Sequence, residues 1–134
     1  MTNTPGRILI VEDDVDYAQI CESQLQGEGY EVKTVSSAPL ALISLNTFKP
    51  DLVILDIRMA GEDGFAALEA IKSDARWKIL RVIILSNLSD VANRAKGFEL
   101  GASDYLVKAN TSLSKLKQTV KQILDRKVIA VGED

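Results

Sequence analysis

DLVILDIRMAGEDG, residues 51–64, opens with a short apolar run, Leu52-Val53-Ile54-Leu55, rich in β-branched residues. Such a run reads as a strand buried on both faces of a parallel sheet. It stops at an acid, Asp56, and a Gly-containing loop follows before a helical pattern resumes at Phe65. An acid at the carboxyl end of a buried strand sits where open α/β sheets place their ligands. In isolation Asp56 reads equally as a turn or capping aspartate, so the rest of the chain has to decide.

Working outward, Arg7 to Val11 (RILIV) is a second apolar run, ending in Glu12-Asp13-Asp14. A helix is predicted from Val15 to Gln26, with Asp14 as N-cap, Gly27 or Gly29 as the stop and Cys21 as a small core residue. Glu31 to Val35 alternates in character and suits an edge strand. Ser36-Ser37 caps a helix entered through Pro39, with apolar positions Leu40, Ile43 and Leu45. Phe65 to Lys72 is helical with Phe65, Leu68 and Ile71 on one face. Asp74 to Ile79 is a loop whose Trp77 packs on the body of the protein, and Leu80 to Leu85 is the fourth strand, ending at Ser86-Asn87. A weakly patterned helix from Asp90 to Leu100 stops at Gly101, a glycine at the C′ position. Asp104 to Val107 is the fifth strand, ending at Lys108, and the last helix, from Ser112 to Arg126, carries Leu113, Leu116, Val120, Ile123 and Leu124 at helical spacing. Residues 127–134 show no pattern and read as tail or linker stub.

Strands alternating with helices specify one doubly wound α/β domain, with its packed core over about residues 6–126. At 134 residues, 46% hydrophobic and 26% charged, the composition is that of an ordinary globular domain. The net charge of −3 argues against direct nucleic-acid binding, which needs a basic surface. No apolar run approaches the roughly 20 residues of a membrane span, and the polar opening MTNTPGR gives no signal peptide. A lone cysteine is compatible with a cytoplasmic setting. The chain has no histidine, which removes histidine bases, Ser-His and Cys-His pairs and histidine zinc ligands together.

Four strand ends carry polar groups directly after an apolar run: Glu12 and Asp13, Asp56, Ser86, and Lys108. In a parallel sheet these ends open on the same edge, so the groups converge. Three crowded carboxylates repel one another, and a hard cation with oxygen ligands is the usual relief; Mg2+ fits best because it leaves positions for phosphate oxygens. A hydroxyl at Ser86 and an ammonium at Lys108 suit the remaining oxygens of a phosphoryl group. The implied chemistry is attack by Asp56 on a phosphoryl donor to give an aspartyl phosphate.

With these residues in view, the chain from about Gly6 to Arg126 resembles the receiver domain of two-component response regulators, the chemotaxis-regulator type included. The resemblance rests on ILIVEDD, DLVILDIRMAGEDG, VIILS and GASDYLVK, in that order and spacing. It implies a flavodoxin-like five-stranded parallel sheet of order 2-1-3-4-5 with five helices. It makes Asp56 the phosphoacceptor, Glu12 and Asp13 the acidic pair that positions magnesium, and the backbone carbonyl of Arg58 a further metal ligand. Ser86 becomes the switch hydroxyl, Lys108 the phosphoryl-binding lysine, and Tyr105 the aromatic switch residue that turns inward. Partners implied are a histidine kinase or histidine phosphotransferase as donor and a downstream protein or effector domain, with the receiver a monomer or weak homodimer.

The sequence departs from the family in three places. Ala60 and Ala109 stand where prolines are usual, leaving the Lys108–Ala109 peptide either trans or a strained cis bond. Asn87 is larger than the residue usual after the switch hydroxyl, which suggests that it crowds the path of hydrolytic water. From Lys108 to Lys127 six Lys or Arg residues face one acid, Asp125. This is the solvated face of the last helix or, more sharply, part of a helix 4, strand 5 and helix 5 surface for an acidic partner. Nothing after that helix reads as an output segment, so the chain signals by contact alone or is a piece of a longer one. Two rivals remain: a receiver-like binding module that is never phosphorylated, and a phosphohydrolase of similar fold.

Overall fold

The chain begins its order at an apolar strand and closes on an amphipathic helix; the computed structural model describes residues 6–59 and 62–126. The strands are β1 (Arg7–Val11), β2 (Glu31–Val35), β3 (Leu52–Leu55), β4 (Arg81–Ser86) and β5 (Asp104–Val107). The helices are α1 (Val15–Gly27), α2 (Ala38–Phe48), α3 (Gly64–Ser73), α4 (Val91–Glu99) and α5 (Leu113–Asp125). The strands form one parallel sheet of order β2-β1-β3-β4-β5, as the resemblance implies. Apart from it, Arg58–Met59 pairs antiparallel with Glu62–Asp63 just after β3.

Strand residues alternate between two apolar layers, as a period of two requires. Leu9, Val11, Val53, Leu55, Val82 and Ile84 join Ala41, Leu45, Phe65, Leu68 and Ile71 from α2 and α3. Ile8, Ile10, Leu52, Ile54, Ile83 and Leu85 join Cys21, Leu25, Leu116, Val120 and Ile123 from α1 and α5. β1 and β3 lie inside both layers, and each fully buried aliphatic side chain there contributes roughly 1.5–3 kcal/mol. β2 at the edge alternates in exposure, matching its weaker pattern.

Local chemistry sets the helix starts. Asp14, Ser37, Asp63, Asp90 and Ser112 each accept a backbone N–H of the first turn with the side chain, satisfying donors that the helix itself leaves open. Gly101, at φ +105°, ends α4 in the left-handed region.

Two expectations shift. α2 buries Ala41, Ser44 and Leu45, while Leu40 and Ile43 point outward; its residues are apolar nearly all round, so periodicity cannot select the inner face. β4 starts at Arg81 and includes Ser86, which pairs in register with Val107 instead of lying beyond the strand. Trp77 packs on the α2–α3 core as expected, with its indole N–H buried and lacking a hydrogen-bond partner among the described residues. The expected tail, 127–134, falls outside the described residues.

Gly64 opens α3 against the chain leaving β3. A Cβ there would lie 2.4 Å from the Cα of Ile57 and 2.7 Å from the carbonyl oxygen of Asp56, both backbone atoms. Gly64→Ala is therefore expected to destabilise by roughly 1–3 kcal/mol. Gly27→Ala, with nothing within 4 Å of the added methyl, should leave stability unchanged or raise it. Urea midpoints at constant m-value compare the two, and equal midpoints would refute the close-approach argument.

Candidate functional site

The sheet brings the sequence-selected residues to one edge. β1 and β3 are neighbours with Val11 opposite Leu55, so Glu12 and Asp56 emerge side by side. Both continue the ladder one step: Glu12 N donates to Val35 O and Asp56 N to Val11 O, each at 3.0 Å. The Ser86–Val107 pairing sets Lys108 one residue beyond that register. Glu12 and Asp56 are each 5% exposed and Ser86 is fully buried. Glu12, Asp13, Asp56, Arg58, Ser86 and Lys108 thus line one open pocket of about 230 Å³. Among the described residues a larger hollow, of about 470 Å³, is walled by α1 alone, by Asp16, Gln19, Ile20, Ser23 and Gln24.

Lys108 Nζ lies 2.5 Å from Glu12 Oε1 and 3.0 Å from Asp56 Oδ2, and 4.7 Å from the centre of the Tyr17 ring. The second oxygens are also engaged: Asp56 Oδ1 accepts from Arg58 N at 3.0 Å and Glu12 Oε2 from Asp14 N at 3.1 Å. Carboxylate oxygens of Glu12, Asp13 and Asp56 all lie within 4.8 Å of one another. One ammonium therefore faces three carboxylates. Burial, joined by the charge of Asp56, raises the Glu12 carboxyl above its ordinary value despite hydrogen bonds from Lys108 and Asp14. Burial pulls the Lys108 ammonium down, but its hydrogen bonds to Glu12 and Asp56 outweigh that and hold it above the ordinary lysine value. The two directions agree on the physics. The lysine is firmly charged and bridges two of the three neighbouring carboxylates.

On the other side of the pocket, Ser86 Oγ accepts from Leu88 N at 3.3 Å, and the hydroxyl of Tyr105 donates to Leu88 O at 2.6 Å. Tyr105 is turned inward, 2% exposed, with Arg94 over its ring at 5.2 Å. Gly97 makes room for it: a Cβ at 97 would lie 2.7 Å from Ile84 Cδ1 and 2.9 Å from Tyr105 Cδ2. Asn87 Oδ1 accepts from Ala109 N at 3.0 Å. No described peptide bond is cis, so Lys108–Ala109 is trans, and the lysine reaches Asp56 from that geometry. Ala60 lies outside the described residues.

The fold thus gathers Glu12, Asp13, Asp56, Arg58, Ser86, Asn87 and Lys108, with Tyr105 behind Leu88. Sequence reasoning missed Tyr17, whose position in α1 gives no signal of a cation above its ring. It also missed Gly97, although a glycine inside a helical pattern is itself a hint of close packing. The basic run of α5 is partly neutralised, Lys121 by Asp125 at 3.0 Å and Lys117 by Glu28 at 3.8 Å. Among the described residues no helix is long and apolar enough to cross a membrane.

Comparison with known proteins agrees with this geometry. Residues 8–121 match the response regulator receiver domain. The chain is 38% identical over 124 residues to the transcriptional regulatory protein PrrA of Mycobacterium tuberculosis, covering 92% of this chain and 52% of that protein. It is 36% identical over 103 residues to the response regulator PleD of Caulobacter vibrioides, covering 77% of this chain and 23% of that protein. The chain therefore spans about half or less of the length of these relatives. The crystal structure of the BeF3-activated N-terminal receiver domain of Klebsiella pneumoniae RstA superposes with a TM-score of 0.82 at 28% identity, covering 90% of this chain and 99% of that one.

Lys108→Met leaves Glu12 and Asp56 buried without their cation, and a loss of about 3 kcal/mol at neutral pH is expected. The raised value of Lys108 means that the lysine's own proton is lost, and its stabilisation with it, only as pH rises through and above the ordinary lysine range. The gap between variant and parent should narrow on acidification, as Glu12 takes up a proton and no longer needs the cation. Denaturation at several pH values measures it, and a gap independent of pH would refute the assignment to charge.

Proposed function

The chain belongs to the response regulator receiver domain family, and from that premise we propose that it accepts a phosphoryl group on Asp56 in a magnesium-dependent reaction and relays the event to the face formed by α4, β5 and α5. The observation that carries this reading is the placing of Asp56 in an open pocket, with Lys108 Nζ 3.0 Å away and two further carboxylates in reach. The donors suit Mg2+: hard carboxylate oxygens of Glu12, Asp13 and Asp56 within 4.8 Å, with the Arg58 carbonyl as a further ligand. Bound there, the ion would supply positive charge and coordination positions for phosphoryl oxygens.

Asp56 attacks the phosphorus atom of a phosphohistidine on a histidine kinase or phosphotransferase. A carboxylate–phosphorus bond forms as the P–N bond breaks, and the electron pair leaves on the imidazole. Lys108 follows the charge from the carboxylate to the phosphoryl oxygens, in a site where burial strengthens such a contact. Ser86 Oγ turns from Leu88 N to donate to another phosphoryl oxygen. Because Tyr105 is bonded to the same residue, Leu88, a shift of the 86–88 segment changes what holds the ring. The α4 surface beside it exposes Val91 and Phe98, apolar area for a downstream protein or effector domain. Slow self-dephosphorylation resets the domain, which works as a cytoplasmic monomer or weak homodimer, alone or within a longer protein.

Incubation with acetyl phosphate and magnesium is expected to add one phosphoryl group by intact mass, and none to Asp56→Asn or when the metal is chelated. A folded protein that gains nothing from acetyl phosphate or from a phosphorylated histidine phosphotransferase would favour a binding module that works without phosphorylation.

A further inference from the structure

The turn that begins at Lys108 is held from outside itself. Lys108–Asn110 is a single 3-10 turn, and its N-cap, Val107, offers no side-chain acceptor. The first N–H groups of a helical turn have no partner within it. Here the Ala109 N–H finds its acceptor in the side-chain carbonyl of Asn87, 22 positions earlier, at 3.0 Å. The rest of the turn closes locally, with Thr111 N donating to Lys108 O at 3.3 Å and Thr111 Oγ1 to Val107 O at 2.8 Å. A proline at position 109 would have no N–H to give. Ala109 and Asn87 are therefore two halves of one contact.

The placement of that contact is specific. Asn87 directly follows Ser86, and Ala109 directly follows Lys108. The hydrogen bond joins the segment that bears the pocket hydroxyl to the segment that bears its ammonium. We propose that Asn87 is a positioning residue: by capping the Lys108 turn through Ala109 it holds the lysine toward Asp56 and couples the lysine to movement of the Ser86–Leu88 segment. The inference rests on the reading of Lys108 as a phosphoryl-binding group. It differs from a role for Asn87 as bulk in the water path, because the acceptor oxygen, not the volume, does the holding. The contact lies at the surface, so its effect falls on geometry more than on stability.

Asn87→Leu keeps the branched shape with somewhat more volume and removes the acceptor, Asn87→Ala removes both bulk and acceptor, and Asn87→Asp keeps an acceptor oxygen. With acetyl phosphate and magnesium, Asn87→Leu and Asn87→Ala are each expected to be phosphorylated about tenfold more slowly than the parent, equivalent to ~1.4 kcal/mol. Asn87→Asp should recover part of the rate. Amide exchange at Ala109 should quicken in the first two variants. In a Lys108→Met background the Asn87→Leu change should cost nothing further, a non-additivity that general loosening of the fold would not produce. Parental rates in Asn87→Leu, or losses that simply add to Lys108→Met, would overturn the proposal. So would a phosphoryl lifetime that tracks side-chain volume while uptake stays unchanged. Failure of the parent itself to take up phosphate would instead sink the reading of Asp56, and the Ala109 exchange result would still report on the contact.

Discussion

Everything at the carboxyl edge of the sheet depends on one ammonium set against three carboxylates. Lys108 touches Glu12 and Asp56, while Asp13 adds a third negative charge nearby. Such a cluster costs folding free energy, because burial strips water from charges that repel one another. The stabilisation that offsets it comes from the layers behind. β1 and β3 are buried on both faces, and the two acids leave them at positions where the backbone ladder still holds them. The strands that supply most of the core therefore also carry the least comfortable groups, and a rigid scaffold fixes their separation. Groups fixed in advance lose less on binding an ion than groups that must first be ordered.

The second half of the site is held through one shared residue. Ser86 and Tyr105 meet at Leu88, one accepting from its N–H and the other donating to its carbonyl. Two side chains bonded to the same residue cannot respond independently. The inward position of Tyr105 depends in turn on the missing side chain of Gly97, since a methyl there would overlap both the ring and Ile84. Arg94, over the outer side of the ring, comes from α4. The path from pocket to surface is thus short, running through one loop, one ring and one helix with space left for the ring.

How much of this the sequence discloses follows from what each feature depends on. The strand order is legible only through the family resemblance, whereas the inner strands are legible because buried parallel strands are apolar throughout and because acids, serine or lysine end them. The pocket is legible for the same reason: a strand end is a position in one dimension that the fold converts to a position in three. Leu40 and Ile43 show the limit. In a helix apolar on most sides, which residues turn inward is decided by Ala41 and Ser44 fitting closely against the sheet, and no period records that. Tyr17 above Lys108 and Gly97 beside Tyr105 depend on distances between elements far apart in sequence. Membership in a family supplies the expected roles, but it does not supply these contacts.

The departures from the family pattern are informative in the same way. Taken singly, alanine at 109 looks like a loss of rigidity and asparagine at 87 looks like an obstruction. Side by side they are a donor and its acceptor. Proline stiffens a turn by fixing φ and removing a donor; a capped N–H stiffens it by being bonded, at the cost of fixing one asparagine side chain. The second solution differs in one respect that matters. A proline constrains only its own segment, whereas the asparagine ties the lysine turn to the segment after Ser86, so that neither strand end can move without loading the other.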